Sequence, residues 1–177
     1  MKLTSREVTS FFKSPPKGAT GVLIYGNDPM RVSDKRQQLI TSLLGPKADE
    51  EMRLARISRE NLKKEPEQAI DLCKARGFFP GARALLIEEA NETVTDTIVK
   101  AIDAWKEGDA TVVVTAGSLK PSSGLRKFFE QKKNTFSVPI YDNPINKFEI
   151  EKIRIADVAE CFVKNNLRVY SIEQKRK

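Results

Sequence analysis

An apolar run at residues 21–26, Gly-Val-Leu-Ile-Tyr-Gly, is followed at once by a helix-start signal, and this pair constrains the fold most strongly. A continuous apolar run of this length is typical of a strand that is buried on both faces of a sheet. Asp28 is placed to cap a helix whose first residue is Pro29, and apolar residues recur at helical spacing up to Gly45. The sequence therefore predicts a strand, a tight turn and a helix between residues 21 and 45.

The same alternation continues to residue 141. Four further strands are predicted, at residues 52–57, 83–89, 110–116 and 136–141. An amphipathic helix is predicted before each of the last three strands, and Pro139 indicates that the last strand lies at an edge of the sheet. Strands that are joined by helices and short loops run parallel, so the predicted fold class is α/β, a three-layer doubly wound parallel sheet of about five strands.

Residues 142–146, Asp-Asn-Pro-Ile-Asn, predict a domain boundary. We therefore expect an α/β domain at residues 1–143, and at residues 144–177 a linker and the beginning of a small helical domain. The apolar face of its first helix consists of Ile155, Val158, Ala159 and Phe162. One helix with a polar tail cannot build a core, so we expect the rest of this second domain to be missing from the chain.

The composition excludes several classes of function. The chain contains no histidine, which removes the usual general base near neutral pH, the Ser-His and Cys-His pairs and imidazole metal ligands. Cys73 and Cys161 lack a Cys-x-x-Cys partner and are predicted to be buried free thiols. The net charge of +7 favours an anionic neighbourhood such as nucleic acid, but the basic residues are spread along the chain, and a solvated basic surface explains them equally well.

No membrane or export signal is recognisable in the sequence. The apolar runs are too short to span a bilayer, and residues 1–7 lack the apolar core of a signal peptide. We therefore expect a cytoplasmic protein that does not associate with membranes.

The turn after the first strand is the place where a phosphate loop would lie in a sheet of this kind. A Walker A loop requires Gly-x-x-x-x-Gly-Lys-Ser/Thr, whereas residues 26–33 read Gly-Asn-Asp-Pro-Met-Arg-Val-Ser. Asp28 would repel phosphate, and Pro29 has no amide proton to donate. We therefore expect no ATP, no other cofactor, no metal and no catalytic residue at this position.

Two other features partly resemble a nucleotide site. Glu88 and Glu89 follow an apolar run as the acids of a Walker B strand do, but strands often end in a solvated acidic pair. Thr115 occupies the place of a nucleotide-sensing residue, although a threonine in a strand needs no function. Without a phosphate loop opposite, we expect no catalysis from these residues.

Basic residues surround the start of the helix that is predicted near Leu125. Lys120, Arg126 and Lys127 place positive charge where it opposes the helix dipole, which indicates a nearby phosphate and makes the three residues candidate DNA contacts. The simpler interpretation is a solvated, basic helix start.

Residues 77–81, Gly-Phe-Phe-Pro-Gly, place two adjacent aromatic rings in a turn between a helix and a strand, and we call this segment the Phe-Phe knuckle. Turns lie at the surface, so at least one of Phe78 and Phe79 is expected to face water and to fit a pocket on another protein. The alternative interpretation is that one or both rings fold back as a lid on the core.

Three motifs, taken in their order and spacing, resemble one family from about residue 23 to residue 166. They are residues 23–28, the Phe-Phe knuckle with the strand after it, and Thr115-Ala116-Gly117 followed by Lys120 and residues 125–127. Together they resemble the delta subunit of the bacterial DNA polymerase III clamp loader. The resemblance implies an AAA+/P-loop-like domain without a functional Walker A loop, in a non-catalytic subunit of a DNA-directed DNA polymerase holoenzyme, a nucleotidyltransferase complex that acts in DNA replication.

The resemblance also implies partners and a contact site. Such a subunit binds the sliding clamp (beta subunit) and helps to open it, joins other clamp-loader subunits that hydrolyse ATP, and reaches DNA indirectly through the complex. The matching clamp-binding positions are Phe78 and Phe79, framed by Arg76, Gly77 and Pro80. Family members continue into a helical collar that forms the ring, so the resemblance covers clamp binding but not ring assembly. The alternatives are a divergent P-loop-like ATPase and a basic nucleic-acid-binding domain.

Overall fold

The computed structural model describes residues 1–16 and 18–141. Within this part of the chain the strands are β1 (Gly21–Gly26), β2 (Leu54–Ser58), β3 (Ala84–Ala90), β4 (Thr111–Ala116) and β5 (Thr135–Ile140). The helices are α1 (Ser5–Lys13), α2 (Pro29–Leu44), α3 (Arg59–Lys64), α4 (Gln68–Lys74), α5 (Thr95–Asp103) and α6 (Gly124–Gln131). The predicted boundary at 142–146, the second domain and Cys161 lie outside the described residues.

The five strands form one parallel sheet in the order β2-β3-β4-β1-β5. β1 lies between β4 and β5, and its residues 22–24 are fully buried, as the apolar run at 21–26 predicts. β5 is an edge strand, so the prediction from Pro139 is confirmed. The N-terminal segment covers part of that edge, because the Leu3 amide donates a hydrogen bond of 3.0 Å to the Ser137 carbonyl.

Helices cover both faces of the sheet, and the fold is the three-layer α/β architecture that the alternation predicts. α1 and α2 pack on one face against alternate strand residues such as Val22 and Ile24. α3 to α6 pack on the other face against Leu23 and Tyr25. Successive strand side chains point to opposite faces, so each strand contributes to both halves of the core. Among residues 1–16 and 18–141, none of the helices combines the length and the hydropathy that a membrane span requires.

Two short helices were missed in the sequence, and one strand begins later than predicted. α1 begins with a capping box in which the Thr4 amide donates to Glu7 Oε2 at 2.8 Å, and α3 begins at the Ser58 side-chain cap. Met52 ends a helical turn instead of starting β2, which begins at Leu54. Such short helical segments depend on their caps and on tertiary packing, so hydrophobic periodicity over a long window does not show them.

Cys73 is buried in the core between α4 and the sheet, as predicted. Burial raises the pKa of its thiol from an ordinary 9.0 to about 12.

In a Cys161→Ser variant at pH 8, we expect Cys73 to react with a thiol reagent at least about 100-fold more slowly in the native chain than in denaturant. The thiol ionises at a lower pH in the unfolded chain than in the folded chain. The free energy of unfolding should therefore also fall as the pH rises above about 9. Equal reactivity in the two states would contradict the burial.

Candidate functional site

The Phe-Phe knuckle lies between the end of α4 and the start of β3, at the amino-terminal end of the sheet, where the parallel strands begin. Phe78 is 100% exposed and Phe79 is 48% exposed. The expectation that at least one ring faces water is confirmed, and the interpretation as a lid on the core is wrong. The framing residues Arg76, Gly77 and Pro80 are exposed as well.

The backbone of the knuckle is restricted by its own residues. Pro80 fixes its φ angle and disfavours a helical conformation at Phe79, the residue before it. Gly81 has a φ of +126°, a conformation that only glycine adopts readily, and a Cβ atom there would lie 3.4 Å from the Arg53 guanidinium. Proline and glycine at these positions therefore hold the turn that presents the two rings.

The Arg53 side chain anchors the chain where it leaves the knuckle. Its Nη1 donates to the Ala82 carbonyl at 3.0 Å and its Nη2 to the Leu44 carbonyl at 2.6 Å. Its Nε donates to Glu51 Oε2 at 2.7 Å, and only 10% of the side chain is exposed. One guanidinium thus connects the end of α2, the turn before β2 and the end of the knuckle, with charge-assisted hydrogen bonds.

The segment after the knuckle is also held by backbone pairing on both sides. The Ala84 amide donates to the Arg53 carbonyl at 3.0 Å, and the Thr111 amide donates to the Arg83 carbonyl at 2.9 Å. The Arg83 side chain donates to the Gly108 carbonyl at 2.8 Å. The exposed rings are therefore carried on an ordered support rather than on a loose loop.

A groove of about 270 Å³ runs beside the knuckle and has mostly apolar walls. It is lined by both phenylalanines together with Leu72, Ala75 and Met52. Met52 and Arg53 were missed as site residues in the sequence. A methionine and an arginine at the end of a turn do not by themselves indicate a binding site. Their importance comes from contacts with the segment around the knuckle, which lies 25 to 30 residues further along the chain.

The cleft at the opposite end of the sheet, about 900 Å³ in volume, lies where a nucleotide would bind in this fold. The Asp28 carboxylate occupies the start of α2 by accepting hydrogen bonds from the Met30 amide at 2.9 Å and the Arg31 amide at 3.2 Å. Pro29 has no amide proton. The backbone donors that would surround a phosphate are thus taken by an acidic side chain of the chain itself.

Glu88 and Thr115 of the cleft have structural partners, whereas the Glu89 side chain is exposed. Glu88 forms an ion pair with Arg36, whose Nη2 also donates to Ser33 Oγ at 3.0 Å. The Glu89 amide donates to Thr115 Oγ1 at 3.3 Å, at an irregularity of β3 where Glu89 has a φ of +55°. Glu88 and Thr115 therefore stabilise the fold around the cleft.

The three candidate DNA contacts differ in their surroundings. Arg126 Nε pairs with Glu130 Oε1 at 2.8 Å, the guanidinium stacks 5.5 Å from the centre of the Tyr25 ring, and only 15% of the side chain is exposed. Lys120 and Lys127 are exposed. Arg126 thus has a structural partner, and DNA contact by any of the three stays a prediction.

The sequence of the chain matches no protein-family model and no curated protein. Among solved structures, the chain is similar in fold to the Bacillus subtilis DNA clamp loader delta protein (YqeN), with a TM-score of 0.59 and 13% sequence identity. The match covers 88% of this chain and 48% of that chain, so the chain spans about half the length of this neighbour. The fold is therefore a clamp-loader-like, three-layer α/β fold.

Replacing Arg53 by methionine should lower the free energy of unfolding by about 2 to 3 kcal/mol, because the carbonyls of Leu44 and Ala82 lose their donor. It should also speed cleavage after Phe78 by an aromatic-specific protease. Arg56→Met is the matched control, since Arg56 pairs with Asp49 at 2.7 Å on the surface and its loss should cost less than about 1 kcal/mol. If urea unfolding gave the same loss of free energy of unfolding for both variants, the anchoring role of Arg53 would be refuted.

The geometry of the cleft predicts that MgATP binds more weakly than about 1 mM. The physical reason is that Asp28 already accepts the hydrogen bonds of the first free amides of α2. Isothermal titration calorimetry of the chain with MgATP measures this directly, with a P-loop ATPase in the same buffer as the positive control. A dissociation constant in the micromolar range would contradict the prediction and would favour an ATPase.

Proposed function

We propose that this chain is a non-catalytic, clamp-binding domain of the clamp-loader delta type, which contacts the sliding clamp through Phe78 and Phe79. The observation that carries the proposal is a fully exposed Phe78 beside a half-exposed Phe79 on a turn that is fixed at its exit. Large apolar side chains in such a position are unfavourable in water and suit a pocket on another protein. Arg76, Gly77 and Pro80 frame the contact.

The fold supports this function. One structural neighbour is a DNA clamp loader delta protein, and that likeness extends over 88% of the present chain. The cleft of the domain, in which Asp28 caps α2 and Arg36 pairs with Glu88, suits a subunit that leaves ATP hydrolysis to others. Other clamp-loader subunits would be further partners in DNA replication.

The apolar surface is sufficient for a binding hot spot. Burial of Phe78 and of the exposed half of Phe79 contributes about 2 to 4 kcal/mol of gross transfer free energy. Because the turn is held at its exit by Arg53 and restricted by Pro80, less of this is offset by the entropy of fixing the loop. Opening of the clamp follows only to the extent that the same contact is stronger in the open clamp than in the closed one.

The Phe78→Ala, Phe79→Ala double variant should bind the sliding clamp of the same organism at least about 100-fold more weakly than the original chain. Surface plasmon resonance with immobilised clamp measures the affinity. Tyr141→Ala is the matched control, because Tyr141 is also a large exposed aromatic residue, 59% exposed, but follows β5 at the other end of the sheet.

The double variant should unfold at the same urea concentration as the original chain, since neither ring belongs to the buried core. An original chain that does not bind the clamp would refute the proposed function. Equal binding by the double variant would refute the assigned contact.

A further inference from the structure

Met52 is a third large apolar side chain at the amino-terminal end of the sheet, and it is 78% exposed. It comes from the turn before β2, some 25 residues from the Phe-Phe knuckle in the chain, yet it lines the same groove as Phe78 and Phe79. Two separate segments thus contribute to one exposed apolar surface. Contiguous surfaces of this kind mark interaction sites more reliably than single exposed residues do.

The backbone at Met52 is unfavourable for a residue with a side chain. Its φ is +50°, in the left-handed region. The Met52 amide donates to the Asp49 carbonyl at 3.1 Å and the Arg53 amide to the Ala48 carbonyl at 2.9 Å, the pattern of a Schellman motif in which glycine usually occupies the position of Met52. A strained residue that is also exposed and apolar contributes little to folding, which points to a role outside the domain.

Met52 is held at a fixed place relative to the knuckle. The next residue, Arg53, donates to the Ala82 carbonyl through its side chain and accepts from the Ala84 amide through its carbonyl. These bonds join the Met52 turn to the segment that leaves the knuckle. The Met52 turn and the exit of the knuckle are therefore held next to each other.

The charges beside this surface indicate what it meets. The charged side chains that line the groove in the described part of the chain are three arginines, Arg53, Arg76 and Arg83. Arg53 is paired with Glu51, whereas Arg76 is exposed beside the rings. A complementary partner offers an apolar pocket with acidic groups on its rim.

We propose that Met52 is a third contact residue, so that the partner protein receives Met52, Phe78 and Phe79 together in an apolar pocket with an acidic rim. This inference rests on the proposed function and adds to it the shape and charge of the binding surface. Methionine suits such a role because its flexible, polarisable side chain adapts to irregular pockets.

The test compares Met52→Gly with Met30→Gln in binding to the sliding clamp by surface plasmon resonance. Met30 is the matched control, since it is 81% exposed but lies in α2, which begins at the opposite end of the sheet. Met52→Gly should weaken binding about five- to tenfold, while Met30→Gln should leave it unchanged. The glycine variant should be at least as stable to urea as the original chain, because glycine suits a positive φ.

Each outcome decides a different point. If the double phenylalanine variant loses binding but Met52→Gly keeps full affinity, the third contact is refuted and the proposed function stands. If the original chain does not bind the clamp at all, the proposed function fails, and the inference about this partner fails with it. The acidic rim predicts that Arg76→Gln slows association at low salt, and an unchanged association rate would refute that part.

Discussion

The hydrogen bonds of the Arg53 guanidinium are the interaction on which the candidate surface depends. A nearly buried charge is tolerated only where its donors are satisfied, and this side chain meets the carbonyls of Leu44 and Ala82 and the carboxylate of Glu51. These partners belong to the end of α2, to the turn before β2 and to the segment after the knuckle, and the last of them lies 29 residues from Arg53 in the chain. The hydrogen bonds that offset the cost of burying this guanidinium also fix the end of the Phe-Phe knuckle and the turn that carries Met52.

The two ends of the sheet differ in the side chains that remain free to contact a ligand or a partner protein. At the end where the strands finish, Asp28 accepts from the first amides of α2 and Arg36 pairs with Glu88, so these polar groups bind partners within the chain. At the end where the strands begin, three large apolar side chains remain exposed and line one groove, whereas Met30 and Tyr141, which are exposed at the first end, do not line the cleft there. In a fold whose ligands usually bind at the first end, the apolar groove at the second end supports the proposed protein contact there.

Much of the fold could be predicted from the sequence, because the buried strands are apolar runs and the start of α2 combines Asp28 with Pro29. The edge position of β5 followed from Pro139, and the exposure of the knuckle from its glycines and proline. The surroundings of the knuckle could not be predicted. Met52 and Arg53 gain their position from hydrogen bonds to Asp49, Ala48 and Ala82, and such pairings leave no periodic pattern in the chain.

An ordered knuckle has a mechanical consequence for the proposed function. A hot spot on a flexible tether would bind an open and a closed clamp nearly equally, because the tether would absorb any movement of the pocket, and equal binding shifts no equilibrium. The turn here is tied to β3 and to the end of α2, so a movement of the pocket relative to the sheet would strain the contact. Rigid attachment is therefore what the proposed contact at Phe78 and Phe79 requires if it is to favour one state of the partner over another.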